Sequence, residues 1–270
     1  MITLRRILCP VDFSEPSERA LRYALATARW HGATLTVLHV EDVLLSAARA
    51  QIKANASPAS NVYEDLNTFI ADAGGSNQTI VAVMTAGDAV AGVLDQAKHE
   101  SSDLIVMGTR GRSGLARAIL GSVTENVVRQ SACPVMTIPA SAEIAAADVL
   151  APFDPVLCAS DFSPACKKAL DLAISMGQEA DARFILLHAL QLPQVDAGFA
   201  PLPFPVQSPV DFSEFRQDAV ARLKRGLPAD AVFRCRPESL VVQGRPADAI
   251  LREGRFRENF RRRVASLQQQ

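Results

Sequence analysis

Leu104-Ile105-Val106-Met107-Gly108-Thr109-Arg110-Gly111, followed after nine residues by Gly121-Ser122, is the stretch on which the fold turns. The unbroken apolar run reads as a strand buried on both faces, and the segment from Val123 to Gln130 has the spacing of a helix. A buried strand that passes through a glycine loop into a helix is a place where backbone N–H groups can be aimed at an anion, which makes phosphate binding the leading reading beside that of a plain turn. The glycines matter because a Cβ would keep a phosphate away from the main chain. Ser122 with Glu125 three residues on matches the S-x-x-E capping pattern. Two readings stand side by side: Ser122 is an N-cap alone, or its hydroxyl and the free N–H groups of Val123 and Thr124 also hold phosphate oxygens.

Working outward, the chain contains one unit twice. Ile7-Leu-Cys-Pro-Val-Asp12-Phe-Ser14 returns as Val156-Leu-Cys-Ala-Ser-Asp161-Phe-Ser163, and the register holds without a gap through Leu38-His39 and Leu187-His188. Each copy opens with an apolar strand ending at Asp, then Phe-Ser, then a helix. Its small apolar residues are Ala20, Leu21, Ala24, Leu25 and Ala28 in one copy, and Ala169, Leu170, Ala173 and Ile174 in the other. Ser14 and Ser163 are natural N-caps. Strands follow at Thr34–Val40 and Arg183–Ala189, then variable segments. The first of these is alanine-rich, from about Asp42 to Asn61, and the second carries prolines at 193, 201, 203, 205 and 209, which rule out a continuous helix.

The copies realign at Val83–Gly87 and Leu240–Gly244, each a strand ending at glycine before a helix. Strands alternating with helices predict a parallel sheet covered on both faces. Only the first copy continues, through a strand at Asp103–Met107, the glycine loop, the helix from Ser122 and a last strand at Val135–Ile138. The second copy runs from Arg252 into a basic tail that reads as solvated, with no glycine loop and no last two strands. The expected division is a complete domain at 1–140, a linker at 141–154 and a truncated repeat at 155–270.

Composition excludes several classes. The 270 residues, 49% of them hydrophobic, suffice for one large domain or two small ones. Lys and Arg number 28 against 29 Asp and Glu, which leaves no basic footprint for nucleic acid or an anionic membrane. Arg5-Arg6 is followed by too short an apolar run for a signal peptide, and no run reaches the length of a membrane span. A soluble, cytoplasmic protein is expected. Five cysteines, Cys9, Cys133, Cys158, Cys166 and Cys235, form no C-x-x-C pair, with Cys9 and Cys133 inside apolar strand patterns. The histidines, His31, His39, His99 and His188, lack metal-ligand spacing, so no metal site is expected.

Pro10-Val11-Asp12, Leu38-His39-Val40, the G-x2-G-x9-G-S pattern at Gly108, Gly111, Gly121 and Ser122, and Cys133-Pro134-Val135 together resemble the universal stress protein family in its tandem-domain form. The resemblance covers about residues 3 to 140 in full and about 155 to 251 in part. It implies an α/β fold with a doubly wound, parallel five-stranded sheet of order 3-2-1-4-5, Rossmann-like and similar to the adenine nucleotide alpha hydrolases. ATP, with or without Mg, would bind in the crevice at the strand carboxyl ends. Carried over position by position, Pro10 and Val11 lead into Asp12, which with the backbone of Val40 flanks ribose and adenine. Met107 and Gly108 line base and sugar. Gly111, Gly121, Ser122 and Val123 cradle the triphosphate, with Thr124 beside them. Arg110 and Arg112 either add charge to the loop or are simply exposed. The second copy keeps Asp161 and Phe162 but has Ala159 in place of Pro10 and lacks the loop, so no ATP site is expected there.

The function implied is an ATP-binding, nucleotide-dependent regulatory or stress-response protein without catalytic residues. A slow ATP hydrolase and a partner-binding module with a vestigial site are the alternatives. Neither a G-x4-G-K-[ST] loop nor an S-G-G-x-D-S loop is present, and His39, the one nearby candidate base, reads as a packed strand-end residue. In relatives the fifth strands of two domains pair, which implies a homodimer through the edge Pro134–Ile138, alongside an unidentified protein partner.

Overall fold

In the computed structural model the described residues are 4–42, 62–75, 79–109, 120–140, 155–179, 182–191, 212–228 and 237–254. Two compact units divide the chain, Thr3–Pro152 and Phe153–Gln270. The alanine-rich segment at 43–61 and the proline-rich one at 192–211 lie outside the described residues, as do 110–119 and 255–270.

The first unit contains β1 (Arg6–Val11), α1 (Glu15–His31), β2 (Thr34–Glu41), α2 (Val62–Asp72), β3 (Ile80–Ala86), α3 (Ala89–His99), β4 (Leu104–Gly108), α4 (Ser122–Gln130) and β5 (Val135–Ile138). Its strands pair in parallel in the order β3-β2-β1-β4-β5, the doubly wound sheet that the resemblance implies. Alternation along the strands divides the core. Ile7, Cys9, Val11, Leu35, Val37, Leu104 and Val106 pack beneath α1 and α2, whereas Leu8, Leu38, Ile105 and Met107 pack with Val93 and Ala97 of α3 and Val127 of α4. Burying each such leucine contributes about 1.5–3 kcal/mol, so both faces of β1 are anchored.

The ends of α1 are set by local chemistry. Ser14 accepts from the N–H of Ser17 at 3.4 Å, Glu15 and Glu18 occupy the first turn, and Gly32 closes the helix at φ 61°. Glu18 also holds Arg22 at 2.6 Å one turn on. The buried stripe Ala20, Leu21, Ala24, Leu25 and Ala28 is the one read from spacing.

Two sequence expectations are corrected. Gly108 belongs to β4, paired with Ile138, and Asp103 lies outside the strand. Its carboxylate accepts from the N–H groups of Arg5 and Arg6 at 2.8 and 2.9 Å, which ties it to the entry of β1 just ahead of the paired residues of β4. Cys133 likewise precedes β5 instead of lying in it, its carbonyl accepting from the Ser131 hydroxyl at 2.8 Å.

The second unit contains β6 (Val156–Ala159), α5 (Pro164–Glu179), β7 (Phe184–Leu190), α6 (Phe212–Gly226) and β8 (Glu238–Gln243), and a further helix, α7, at 246–254. Its sheet has three parallel strands in the order β6-β7-β8. Among the described residues, β6 has no counterpart of β4 beside it. Ala169 is exposed where its register mate Ala20 is fully buried, because β4 and β5 complete the sheet beneath α1 and no such strands are described beneath α5.

Candidate functional site

β1 and β4 part company at their carboxyl ends. They pair as Ile7↔Leu104 and Leu8↔Ile105, yet β1 runs on to Val11 and β4 to Gly108. The cause is Pro10. The carbonyl of Arg6 accepts from Asp103 N–H at 2.8 Å, while that of Arg5 accepts from Thr34 N–H on the β2 side at 2.9 Å. Even-numbered residues of β1 therefore face β4, and the donor that proline lacks is one that would have reached β4. The strand order also reverses here, between β1 and β4, which is where open parallel sheets bind ligands.

Asp12 stands at the mouth of this crevice, half-buried at the end of β1. Its Oδ1 accepts from the Ser14 N–H at 3.1 Å and from the Ser14 hydroxyl. Its own N–H donates to the Ser17 hydroxyl at 3.3 Å. Phe13 follows in the left-handed region at φ 62°, which turns its ring onto His39, 4.4 Å between centroids, and edge-on to Phe69 at 5.4 Å. His39 is buried and its Nδ1–H donates to the Val11 carbonyl at 2.8 Å. This is the packed role, with the proton fixed on Nδ1 by its acceptor. The placement of Phe13 was not read from sequence, although Asp-Phe-Ser recurs in both copies and the strain of a positive φ at phenylalanine recurs with it, at 63° for Phe162.

The opposite wall is the end of β4. Met107 and Gly108 are buried. Thr109 N–H donates to the Ile138 carbonyl at 3.0 Å, and Gly121 N–H returns to the Thr109 carbonyl at 2.8 Å. These bonds bring the amino end of α4 to the end of β4. Arg110, Gly111 and Arg112 lie outside the described residues.

The capping box is corrected. Gly121, not Ser122, is the N-cap, with no side-chain cap bond. Ser122 is the first helical residue and exposed. Glu125 turns instead to Arg129 at 2.8 Å. The closure of Gly121 onto Thr109 holds residue 121 in the extended conformation of a cap, so the helix begins one residue later than the motif suggests. The first intrahelical bond runs from Glu125 N–H to the Gly121 carbonyl at 2.8 Å. The N–H groups of Ser122, Val123 and Thr124 therefore fall outside the helical ladder, at the positive end of the α4 dipole. The Thr124 side chain is structural, buried with its hydroxyl donating to the Gly108 carbonyl at 2.9 Å. Val40 belongs to the third wall, half-buried and paired with Thr85. Its side chain lies so close to Gly92 that a Cβ there would stand 3.0 Å from it.

Among its described residues, the second unit repeats the carboxylate half. Asp161 Oδ1 accepts from Ser163 N–H at 2.8 Å, and with the Ser163 hydroxyl this holds its carboxyl below the usual carboxylate range. His188 Nδ1–H donates to the Ser160 carbonyl at 2.7 Å beneath Phe162. The Arg222 guanidinium covers Phe162 at 4.1 Å, where Phe69 abuts Phe13 in the first unit. Among the described residues no cluster could hold a metal ion, and no helix is long and apolar enough to cross a membrane.

Comparison with known proteins is consistent with this architecture. The model of the universal stress protein family matches residues 3–139 and 152–255. A universal stress protein of Methanocaldococcus jannaschii is 28% identical over 158 residues, 51% of this chain and 96% of its own. One from Mycolicibacterium smegmatis is 28% identical over 202 residues, 72% of this chain and 66% of its own. A solved universal stress protein from Archaeoglobus fulgidus superposes with a TM-score of 0.62 over 95% of this chain and 84% of that chain, at 22% identity, and so has the same fold.

Proposed function

The chain belongs to the universal stress protein family, and on that footing we propose that its first unit alone holds ATP, with Mg accompanying the nucleotide, as a cytoplasmic nucleotide-dependent regulator in a stress response. In this reading residues 1–140 are the nucleotide-holding domain, 141–154 a linker and 155–270 a second domain without a nucleotide site. The observation that carries it is the splayed end of β1 and β4. There β1 ends in a carboxylate, Asp12, and the end of β4 carries the amino end of α4, whose cap has no side-chain bond and whose first N–H groups lie outside the helical ladder. A ribose donates to a carboxylate and a phosphate accepts from such N–H groups, so the chemistry of the two walls fits the two ends of a nucleotide. Val40, Met107 and Gly108 supply the apolar walls for the base between them. The second copy keeps Asp161 but has Ala159 in place of Pro10 and no glycine loop in its sequence, which supports restriction to the first.

Calorimetric titration of ATP into the full chain tests the reading. Binding is expected, and Asp12→Asn, which keeps the acceptor for Ser14 but removes the charge, weakens it about tenfold or more. Asp161→Asn leaves it unchanged. No heat on titration, or an equal loss from either substitution, overturns the proposal. Steady ADP release under the same conditions would favour the hydrolase alternative.

For assembly, β5 is the edge of the first sheet, and its four residues, Val-Met-Thr-Ile, carry no charge or proline to protect that edge. These features support pairing of two such edges as the proposed homodimer contact.

A further inference from the structure

We propose that Cys158 and Cys166 are a modification site: a thiol pair that a peroxide oxidises to a disulfide joining β6 to the first turn of α5. The two thiols converge on one atom. Cys166 Sγ–H donates to the Ala159 carbonyl at 3.3 Å, and Cys158 Sγ lies 3.9 Å from the same oxygen. Cys158 packs within the core formed with Leu170 and Ile174 of α5, and Cys166 is the third residue of α5, with its N–H already donating to the Ser163 hydroxyl at 3.2 Å. The sulfur is therefore not needed to cap the helix.

The first copy of the repeat is an internal contrast. Its register mates are Cys9 and Ser17, and there the Ser17 hydroxyl donates to the Ser14 carbonyl at 2.9 Å, leaving Cys9 without a second thiol. Replacement of that serine by cysteine in the second copy is what creates the pair.

Accessibility orders the steps. Cys166 is half-buried and Cys158 buried, with burial and the neighbouring Cys166 pushing the Cys158 thiol up to about 11. Cys166 sulfur attacks the peroxide, the O–O bond breaks, and a sulfenic acid and one water (or alcohol) form. Cys158 sulfur then displaces the sulfenic oxygen, which leaves with the Cys158 proton as a second water. The two thiols together lose two electrons and the peroxide gains two. The product closes a ring over residues 159–165, which include Asp161, Phe162 and Ser163.

The test treats the full chain with hydrogen peroxide, alkylates the remaining thiols after denaturation and maps the peptides. Loss of two alkylatable thiols, a Cys158–Cys166 crosslink and its reversal by a dithiol reductant are expected. Cys166→Ser, which restores the residue of the first copy, should leave Cys158 fully alkylatable, and Cys158→Ala should leave Cys166 as a trappable sulfenic acid. Oxidation of Cys166 to sulfinic acid with Cys158 still free in the unsubstituted chain overturns the proposal. So does a crosslink between other cysteines.

Discussion

The buried hydroxyl of Thr124 donates to the carbonyl oxygen of Gly108 across 2.9 Å, so the first turn of α4 is fastened to the last residue of β4. With the Gly121–Thr109 bond this fixes how the amino end of α4 meets the crevice. Thr124→Val keeps the shape and removes the donor, which leaves a buried carbonyl unsatisfied at a cost of about 1–3 kcal/mol. Denaturant unfolding should show that loss. ATP titration should show weakened binding as well, since this bond fastens the turn that carries the N–H groups of Ser122 and Val123; a stability loss with unaltered binding would refute the link.

Alkaline pH should destabilise the first unit through Cys9. Burial holds its thiol above the ordinary value of 9.0, so the folded form keeps a proton that the unfolded chain releases. The folded state then binds more protons, and stability falls as pH rises past 9.0, by about 1.4 kcal/mol per pH unit for this one group. Urea midpoints measured across that range should decline, and Cys9→Ala should flatten the decline whatever it does to the midpoint at neutral pH.

Acid should reveal the opposite sign at Asp161. Its carboxyl is held below 3.8 by the hydroxyl and N–H of Ser163. The contribution is present above that value and is lost as pH falls through the lower folded one. Ser163→Ala should move the Asp161 titration back upward, as followed by carboxyl NMR. An unmoved titration would mean that the Ser163 hydroxyl does not hold the charge.

Thr137→Pro should separate copies of the chain without unfolding them. The carbonyls of Pro134 and Ile138 accept from Ile105 and Thr109, so even-numbered residues of β5 face β4 and Thr137 faces the open edge. Proline there removes an outward donor and is tolerated at an edge. Light scattering should report a dimer before and a monomer after; a monomer in both would count against pairing through β5.

Much of this molecule was legible along the chain, because the signals were local or repeated. The apolar runs at Ile7–Val11 and Leu104–Met107, the Ser14 cap and the duplicated Asp-Phe-Ser state strand, turn and helix by composition and period alone. Tertiary structure decided what depends on partners distant in sequence. It moved Asp103 out of its strand onto the N–H groups of Arg5 and Arg6. It transferred the α4 cap from Ser122 to Gly121 because Thr109 lies alongside. It also put the missing donor of Pro10 on the β4 side, opening a crevice that no spacing rule encodes. Period and composition are properties of a segment, whereas the direction a hydrogen bond faces is a property of two segments brought together by folding.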